Sequence, residues 1–165
     1  MREIRQVGEE SIDLIRQLAH AVWPTAYGDI LTAGQIDYML NMMYSHAALL
    51  KQIDEGHQFL IVYDHKMPVG FASYSPKENN SPAVYRLHKL YVLPDHQRKG
   101  TGKLLLDHII AAIQKEGAMV LELNVNKHNK AFHFYARFGF TIAEEKDIDI
   151  GGGYFMNDYI LEKKM

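Results

Sequence analysis

Seven consecutive polar and glycine residues have the composition of a loop that binds a phosphate or pyrophosphate. They are Gln97, Arg98, Lys99, Gly100, Thr101, Gly102 and Lys103. Three of them are basic, and the two glycines let the backbone approach a ligand without a Cβ in the way. The first backbone N–H groups of a helix lack partners within the helix, so a loop that leads into a helix is an anion site. We expect backbone N–H groups to make most of the contacts and the basic side chains to add long-range attraction.

A strand before this loop and a helix after it would hold the loop in position. Leu87 and residues 90–93 form an apolar run of strand length, which Pro94 closes. After the loop, apolar residues recur every three or four positions, as on one face of a helix that Gly117 ends. They are Leu105, Leu106, Ile109, Ile110 and Ile113. The apolar run at 118–125 then predicts a buried strand parallel to the first, which completes a β-α-β unit.

The loop and a later segment together resemble the two motifs of the GNAT superfamily of acetyl-CoA-dependent N-acetyltransferases. Residues 97–102 match its Q/R-x-x-G-x-G/A loop, and residues 129–140 (NKAFHFYARFGF) are similar to its N-x-x-A-x-x-F-Y-x-x-x-G-F pattern. Trp23 and residues 27–31 and 153–159 more loosely resemble the bacterial branch related to polyamine (spermidine/spermine) acetyltransferases. The resemblance implies an α/β (α+β) fold, with a mixed, mostly antiparallel twisted sheet and helices on both faces.

The resemblance also assigns roles to individual residues. It implies that the strand around Tyr91, Val92 and Leu93 pairs its backbone with the pantetheine arm, and that an N–H near Val92 polarises the thioester carbonyl. It implies a cofactor contact for Asn129 and a general-acid role for Tyr135, whose phenol keeps its proton at neutral pH. The acetyl group would move by direct attack of an amine in a ternary complex. The sequence has no cysteine that could carry an acyl group on a thiol.

The group that deprotonates the amine stays open. His88, Glu122 and Asn124 lie on the two strands that should flank the reacting centre. On a regular strand, His88 shares one face with Leu90 and Val92. His88 has a suitable ordinary pKa, but a non-catalytic histidine is the favoured interpretation. We therefore assign no general base from the sequence.

Aromatic and acidic residues outside the two motifs are candidates for binding the acceptor amine. The aromatic candidates are Trp23, Tyr27 and Tyr154, and the acidic candidates that could attract a cation are Asp29, Asp37 and Asp158. The resemblance favours a small, polyamine-like primary amine. The alternatives are an amino acid, an antibiotic, a peptide or protein amine, and a non-catalytic module that senses acetyl-CoA.

Composition and length exclude several other classes. The 165 residues fit one domain, and hydrophobic and charged fractions of 47% and 23% are ordinary for a globular protein. A net charge of −2 gives no reason to expect nucleic-acid binding, and no stretch has the ~20 apolar residues of a membrane span. The N-terminus lacks the apolar region of a signal peptide, so we expect a cytoplasmic protein. No metal site is expected, and a homodimer would be common in the family.

The remaining patterns predict the other elements of the chain. We expect a strand at 3–7, a helix that Ser11 caps and that Trp23 and Pro24 end or kink, and helices that begin after Thr32 and near Ser45. Residues 58–63 and 68–74 should form a hairpin, and 75–82 an exposed loop. A helix at 127–138 should stop at Gly139, and strands at 140–150 and 154–161 should flank a glycine turn.

Overall fold

The computed structural model describes residues 1–78 and 81–165, which form one seven-stranded sheet with helices on both faces. The strands are β1 (Arg2–Val7), β2 (Gln58–Asp64), β3 (Met67–Glu78), β4 (Ser81–Val92), β5 (Val120–Asn126), β6 (Thr141–Gly151) and β7 (Tyr154–Lys164). The helices are α1 (Ile12–Tyr27), α2 (Ala33–Tyr44), α3 (His46–Asp54), α4 (Thr101–Lys115) and α5 (Ala131–Arg137).

The strand order is β1-β2-β3-β4-β5-β7-β6, and every neighbouring pair is antiparallel except β4 and β5. These two strands are parallel because α4 crosses the sheet between them, as in a β-α-β unit. The predicted mixed, mostly antiparallel sheet is confirmed. No helix in the described ranges is long and apolar enough to cross a membrane.

Each face of the sheet has its own hydrophobic core. On one face, α4 and α5 pack through Leu105, Leu106, Ile109 and Tyr135 against inward side chains such as Leu87 and Leu123. On the other face, the first three helices cover a second core. Its largest fully buried members are Trp23, Tyr44, Phe59 and Phe71. The periodic apolar positions that predict α4 all pack in the first of these cores.

Two predicted helix boundaries can be compared with the structure. Of the two alternatives predicted at Pro24, an end or a kink, the end is excluded because α1 continues to Tyr27. Trp23 is only 1% exposed, and the Tyr27 ring lies 4.5 Å from its indole. The last turn is therefore held by buried aromatic packing. The helix predicted from residue 127 begins instead at Ala131, whose N–H donates to the Asn129 side chain at 2.9 Å. Such a side-chain bond offers the backbone an alternative to helix at this point.

The predicted loop at 75–82 is also wrong where it can be compared. Residues 75–78 complete β3 and residues 81 and 82 begin β4, while Asn79 and Asn80 lie outside the described residues. Ser75 pairs with Arg86 and Pro76 with Tyr85 in this extended hairpin. Prolines and asparagines favour a loop, but long-range pairing between the two strands overrides that local preference here.

The strands β4 and β5 separate half-way along their length. Their parallel pairing runs from Val84 to Leu87 on β4 and stops where Leu87 meets Leu123. Beyond this point β4 remains paired with β3 as far as Val92, and β5 remains paired with β7 as far as Asn126. A V-shaped gap therefore opens in the middle of an otherwise continuous sheet.

We predict that a methyl group at Gly70 disturbs the wall of this gap. A Cβ at Gly70 would lie 2.6 Å from the Tyr91 carbonyl oxygen, which is too close for backbone atoms to accommodate without moving β3 away from β4. Gly70→Ala should lower the free energy of unfolding by about 1–3 kcal/mol, the usual cost of overpacking. Thermal unfolding measures this cost, and an unchanged melting temperature would contradict the close contact.

Candidate active site

The gap between β4 and β5 forms a narrow cleft with mixed polar and apolar walls, here called the strand cleft. Residues on both separated strands and on the segment leading into α5 line it. The lining includes Leu90, Tyr91, Asn124, Asn129, Ala131 and Tyr135. The small side chain of Ala131 leaves room beside Tyr135.

Backbone groups of β4 face the strand cleft at alternate positions. The Leu93 N–H donates to the Val69 carbonyl of β3 at 2.8 Å. Because backbone groups alternate along an antiparallel strand, those of Leu90 and Val92 point away from β3 and towards β5. The Val92 carbonyl, on that side, accepts a hydrogen bond of 2.9 Å from the Gln97 amide. Because the pairing of β4 with β5 ends at Leu87, no strand in the described part of the chain pairs with the N–H groups of Leu90 and Val92 on this side, and they could bind an extended ligand in the cleft.

The polar loop at 97–103 lies beyond the end of β4 and leads directly into α4. Gly100, which precedes the first residue of α4, has a φ of +79°. Glycine adopts this left-handed conformation at little cost. Arg98 and Lys99 are exposed, whereas the Lys103 ammonium is paired with Asp107 at 2.7 Å. A Cβ at Gly102 would lie 3.4 Å from the Phe134 ring, an ordinary contact distance, so α4 and α5 pack closely at this point. The loop and the α4 N-terminus present a concentration of N–H groups and positive charge.

A second cavity, here called the aromatic pocket, adjoins the strand cleft on the face that α1 and α2 cover. It has a volume of about 590 Å³ including its opening to solvent. Trp23, Tyr27, Met39, Tyr44, Lys89 and Asp158 contribute to its wall, with Gln35 and Phe155. Tyr27, His88, Lys89, Tyr91 and Asn124 line both cavities. The two spaces therefore meet at these shared residues.

Tyrosine hydroxyls cluster where the two cavities meet. The hydroxyls of Tyr27 and Tyr91 are hydrogen-bonded at 2.8 Å, which ties α1 to β4. Tyr135 lies on α5 on the cleft side and is 7% exposed. Burial raises the pKa of Tyr135, and also those of Tyr27 and Tyr91, because the charged phenolate is disfavoured away from water. All three phenols remain protonated donors at neutral pH.

A buried carboxylate, Asp158, lies in the aromatic pocket at the end of a hydrogen-bonded chain. Glu122 binds Arg86 at 2.5 Å, the Arg86 guanidinium donates to the Asn124 oxygen, and the Asn124 amide donates to Asp158 at 3.3 Å. Burial raises the pKa of Asp158, and the hydrogen bond from Asn124 opposes that shift. Asp158 is 3% exposed, so an ammonium group entering the pocket would meet a carboxylate that water screens poorly.

His88 occupies a place that differs from the regular-strand expectation. The β3–β4 register shifts opposite His88, because Leu87 pairs with Tyr74 and Lys89 pairs with Ser73. The prediction that His88 shares a face with Leu90 and Val92 is therefore wrong. His88 binds the Ser75 hydroxyl at 2.7 Å and stacks on the His57 ring at 3.9 Å.

The histidine and the glutamate are poorly suited to take a proton from an amine, His88 because of its pKa and Glu122 because of its position. Burial, followed by the neighbouring His57, lowers the pKa of His88 to about 3, which makes it a weak proton acceptor. Glu122 is held between Arg86 and Lys77, with the Lys77 ammonium at 3.2 Å, and lines neither cavity. Among the described residues, no group of three or more His, Cys, Asp or Glu is placed to hold a metal ion.

Comparison with known proteins identifies the family. Residues 31–151 match the family described as "Acetyltransferase (GNAT) domain". The chain belongs to the GNAT acetyltransferase family. It is therefore an acetyl-CoA-dependent N-acetyltransferase by family, and the resemblance carried by the two motifs is confirmed.

Individual relatives agree with this assignment over nearly the whole chain. A spermidine N(1)-acetyltransferase of Thermoplasma acidophilum is 27% identical over 168 residues, covering 98% of this chain and 96% of that protein. The crystal structure of the PaiA N-acetyltransferase of Thermoplasma acidophilum with coenzyme A superposes with a TM-score of 0.83 at 26% identity, covering 100% and 99% of the two chains. An L-amino acid N-acyltransferase of Escherichia coli is 27% identical over 54% of each protein.

The observed geometry fits the cofactor of a GNAT enzyme. Free N–H groups on β4 could pair with the amides of a pantetheine arm, and the α4 N-terminus could hold its pyrophosphate. The Asn129 side chain lines the cleft, and its oxygen accepts from the Ala131 N–H, so part of its hydrogen-bonding capacity is used within the protein. Gln97 and Thr101 are engaged within the protein, with Thr101 3% exposed. The backbone N–H groups of the loop are thus better placed than these side chains to bind a cofactor phosphate.

The acceptor-side candidates separate into two groups. Trp23, Tyr27 and Asp158 line the aromatic pocket. Asp29 is exposed after α1, and Tyr154 packs on the Tyr38 ring at 5.3 Å, so neither lines either cavity. Asp37 is exposed on α2. An acid close in sequence to an aromatic residue is thus insufficient to predict that both line one pocket.

Arg2 is a site residue that the sequence does not indicate. Its guanidinium donates to the Lys99 carbonyl at 2.6 Å and lies 3.3 Å from the Thr101 hydroxyl. These contacts tie β1 to the polar loop at 97–103 and add a positive charge beside it. They join residues almost one hundred positions apart, and no local pattern could reveal them.

We predict that Arg2→Met raises the KM for acetyl-CoA. Loss of the bond to the Lys99 carbonyl should cost about 1 kcal/mol, or roughly fivefold in affinity, because the loop is held less firmly and one charge is lost. Steady-state kinetics measure the effect, with the amine concentration saturating. Arg5→Met is the matched control, since Arg5 lies on the same strand and pairs with Glu3. Equal effects of both substitutions would show that Arg2 has no specific role.

Proposed function

We propose that this enzyme transfers the acetyl group of acetyl-CoA to a primary amine of a small molecule by direct attack in a ternary complex, and that polyamine-like acceptors are favoured. The observation that carries the proposal is the meeting of two cavities. One has the backbone donors suited to an extended cofactor, and the other holds the buried Asp158 among aromatic rings.

The acceptor class rests on two further points. The relative that covers 98% of the chain is named for the N1-acetylation of spermidine. Aromatic rings beside a carboxylate also suit an alkylammonium group, whose charge is attracted by ring faces and whose carbon chain is apolar. Trp23 lies 4.5 Å from Tyr27 and 6.0 Å from Tyr91 between ring centroids, which forms a continuous aromatic wall.

Each residue of the site has a distinct role in the proposed reaction. Bound acetyl-CoA supplies an acetyl group that is activated as a thioester. The Val92 N–H would donate to the carbonyl oxygen as negative charge develops there, and this kind of stabilisation is often the largest contribution to catalysis. The Tyr135 hydroxyl would donate its proton to the departing sulfur.

Asp158 would hold the acceptor and is the pocket residue best suited to receive its proton. An alkylammonium with an ordinary pKa near ~10.4 must become neutral before it can attack. Burial gives the Asp158 carboxylate a higher proton affinity than an exposed aspartate, whereas it lowers the pKa of His88 to about 3. Asp158 is therefore the better proton acceptor of the two, directly or through a water molecule.

The first experiment measures CoA-thiol release from acetyl-CoA with a panel of amines. The panel contains spermidine, spermine, amino acids, aminoglycosides and peptides with a free N-terminus. We expect polyamines to stimulate release. Stimulation by peptides alone would favour a peptide or protein acceptor. Acetyl-CoA binding without release for any amine would favour a non-catalytic sensing module and would overturn the proposal.

Tyr135→Phe should reduce kcat about 100-fold, the usual contribution of a general acid, and leave the KM for acetyl-CoA nearly unchanged. The ring keeps its packing and only the proton donor is lost. Tyr85→Phe is the matched control, because Tyr85 is equally buried in the same core but lines neither cavity. If the kcat of Tyr135→Phe equals that of the control, another group donates the proton.

Asp158→Asn should raise the KM for the amine roughly tenfold or more, because a charge-assisted contact in a buried site is lost. The variant should bind the amine more weakly, but the free energy of unfolding should not fall with that affinity. A pKa raised by burial means that the ionised carboxylate destabilises the fold, and this effect disappears as the pH falls through the raised pKa.

The melting temperature of Asp158→Asn should therefore equal or exceed that of the wild type at pH 7, and the difference should shrink in acid. Asp29→Asn removes an exposed carboxylate and is the control. A variant that loses both stability and activity would indicate that Asp158 has a structural role.

A further inference from the structure

The aromatic pocket contains a second buried charge, opposite in sign to Asp158. Lys89 is 7% exposed, and its ammonium donates to the Gln52 oxygen at 2.8 Å. The ammonium also lies 5.2 Å from the Tyr44 ring centroid and 5.7 Å from that of Phe59. Lys89 thus reaches towards α3, at what we call the inner end of the pocket.

The Lys89 ammonium is fixed in place but not neutralised. The Gln52 amide nitrogen donates to the Met43 carbonyl at 2.9 Å, so the Gln52 oxygen is held towards Lys89. Lys89 forms no ion pair with a carboxylate in the part of the chain that the structure describes. A neutral amide and two aromatic rings therefore surround a full positive charge.

The Lys89 ammonium remains charged at neutral pH, and its electrostatic field is poorly screened inside the pocket. Burial lowers the pKa of Lys89 to about 8, which still leaves most molecules protonated at pH 7. The neighbouring His57 and His88 both have lowered pKa values and are neutral there. Between charges a few ångströms apart, the interaction energy in a protein site is several times its value in water.

We propose that Lys89 is a specificity-determining residue that excludes a second cation from the inner end of the aromatic pocket and favours acceptors with a neutral or carboxylate group there. This inference rests on the proposed function, because it concerns the acceptor of the acetyl group. Asp158 attracts the ammonium that will react, and Lys89 repels any other ammonium that would follow it inwards.

The charge of Lys89 sets how a polyamine could bind. One terminal amine would enter beside Asp158, and the remaining nitrogens would stay near the mouth, where Gln35 and the half-exposed Phe155 lie. A diamine must bind in the same way, with its second ammonium turned to the mouth, so it lacks the inward orientation that remains open to a monoamine or an ω-amino acid. The acceptor class is therefore defined by the position of its second charge as well as by its reacting amine.

The test compares three matched series of acceptors, each three to six carbons long. These are linear monoamines, α,ω-diamines and ω-amino acids. For the wild type we expect kcat/KM to fall in the order amino acid, monoamine, diamine, with at least about tenfold between the first and last at the most sensitive length. The difference should reside mainly in KM, since Lys89 acts on binding.

Two substitutions should remove this discrimination in different ways. Lys89→Met keeps much of the side-chain volume and removes the charge, so the three series should converge to within about threefold. Gln52→Glu places a carboxylate on the ammonium while Lys89 is retained, and should have the same effect. Lys89→Arg should preserve the order. Lys51→Met is the control, because Lys51 lies next to Gln52 but is 78% exposed and paired with Glu55.

Several results would overturn the proposal. The proposal fails if, in the wild type, each diamine has the same kcat/KM as the monoamine of equal length. A uniform loss for all three series in Lys89→Met would indicate a merely structural role, and thermal unfolding checks that this variant is folded. If no amine releases CoA thiol, the proposed function fails separately. Calorimetric binding of the same compounds with CoA present then decides whether Lys89 discriminates among them.

Discussion

The site depends on one constraint, which is that β4 and β5 cannot remain paired along their whole length. Each strand keeps its outer partner, β3 or β7, after the pair separates at Leu87 and Leu123. The backbone groups that would have joined the two strands are then available to a ligand. Because both strands stay anchored in the sheet, the gap has rigid walls. The loop that follows β4, the helix α4 and the Tyr135 side chain are all positioned around this opening.

Two buried charges in the aromatic pocket are held there at a cost in stability. Asp158 and Lys89 are 3% and 7% exposed, and burial disfavours the charged form of each. Neither charge is paired with the other. Asp158 is oriented through Asn124, Arg86 and Glu122, and Lys89 through Gln52. Hydrophobic residues would stabilise these positions better, so their retention in a cavity fits a role in ligand selection.

Local patterns predict much of this fold but few of its long-range contacts. The strand, loop and helix around residues 97–103 are encoded within one continuous stretch, as is the Tyr135 motif. The position of Lys89 depends on the irregular pairing of β4 with β3, in which His88 is an extra residue between Leu87 and Lys89. A regular alternation of side chains therefore misplaces His88. Likewise, residues 75–78 look like loop until their pairing partners on β4 are known. Interactions between distant segments decide these features, and a single sequence does not display them.

The shared wall between the two cavities makes the binding of the two substrates reciprocal. Tyr27 and Tyr91 line both spaces and are joined by a hydrogen bond of 2.8 Å. A ligand that shifts these rings on one side changes the surface offered on the other. Thermodynamic linkage then requires that each substrate alter the affinity of the other by the same factor. The strength of this coupling would therefore be a property of the hydrogen-bonded pair, set by residues that need not take part in the chemistry.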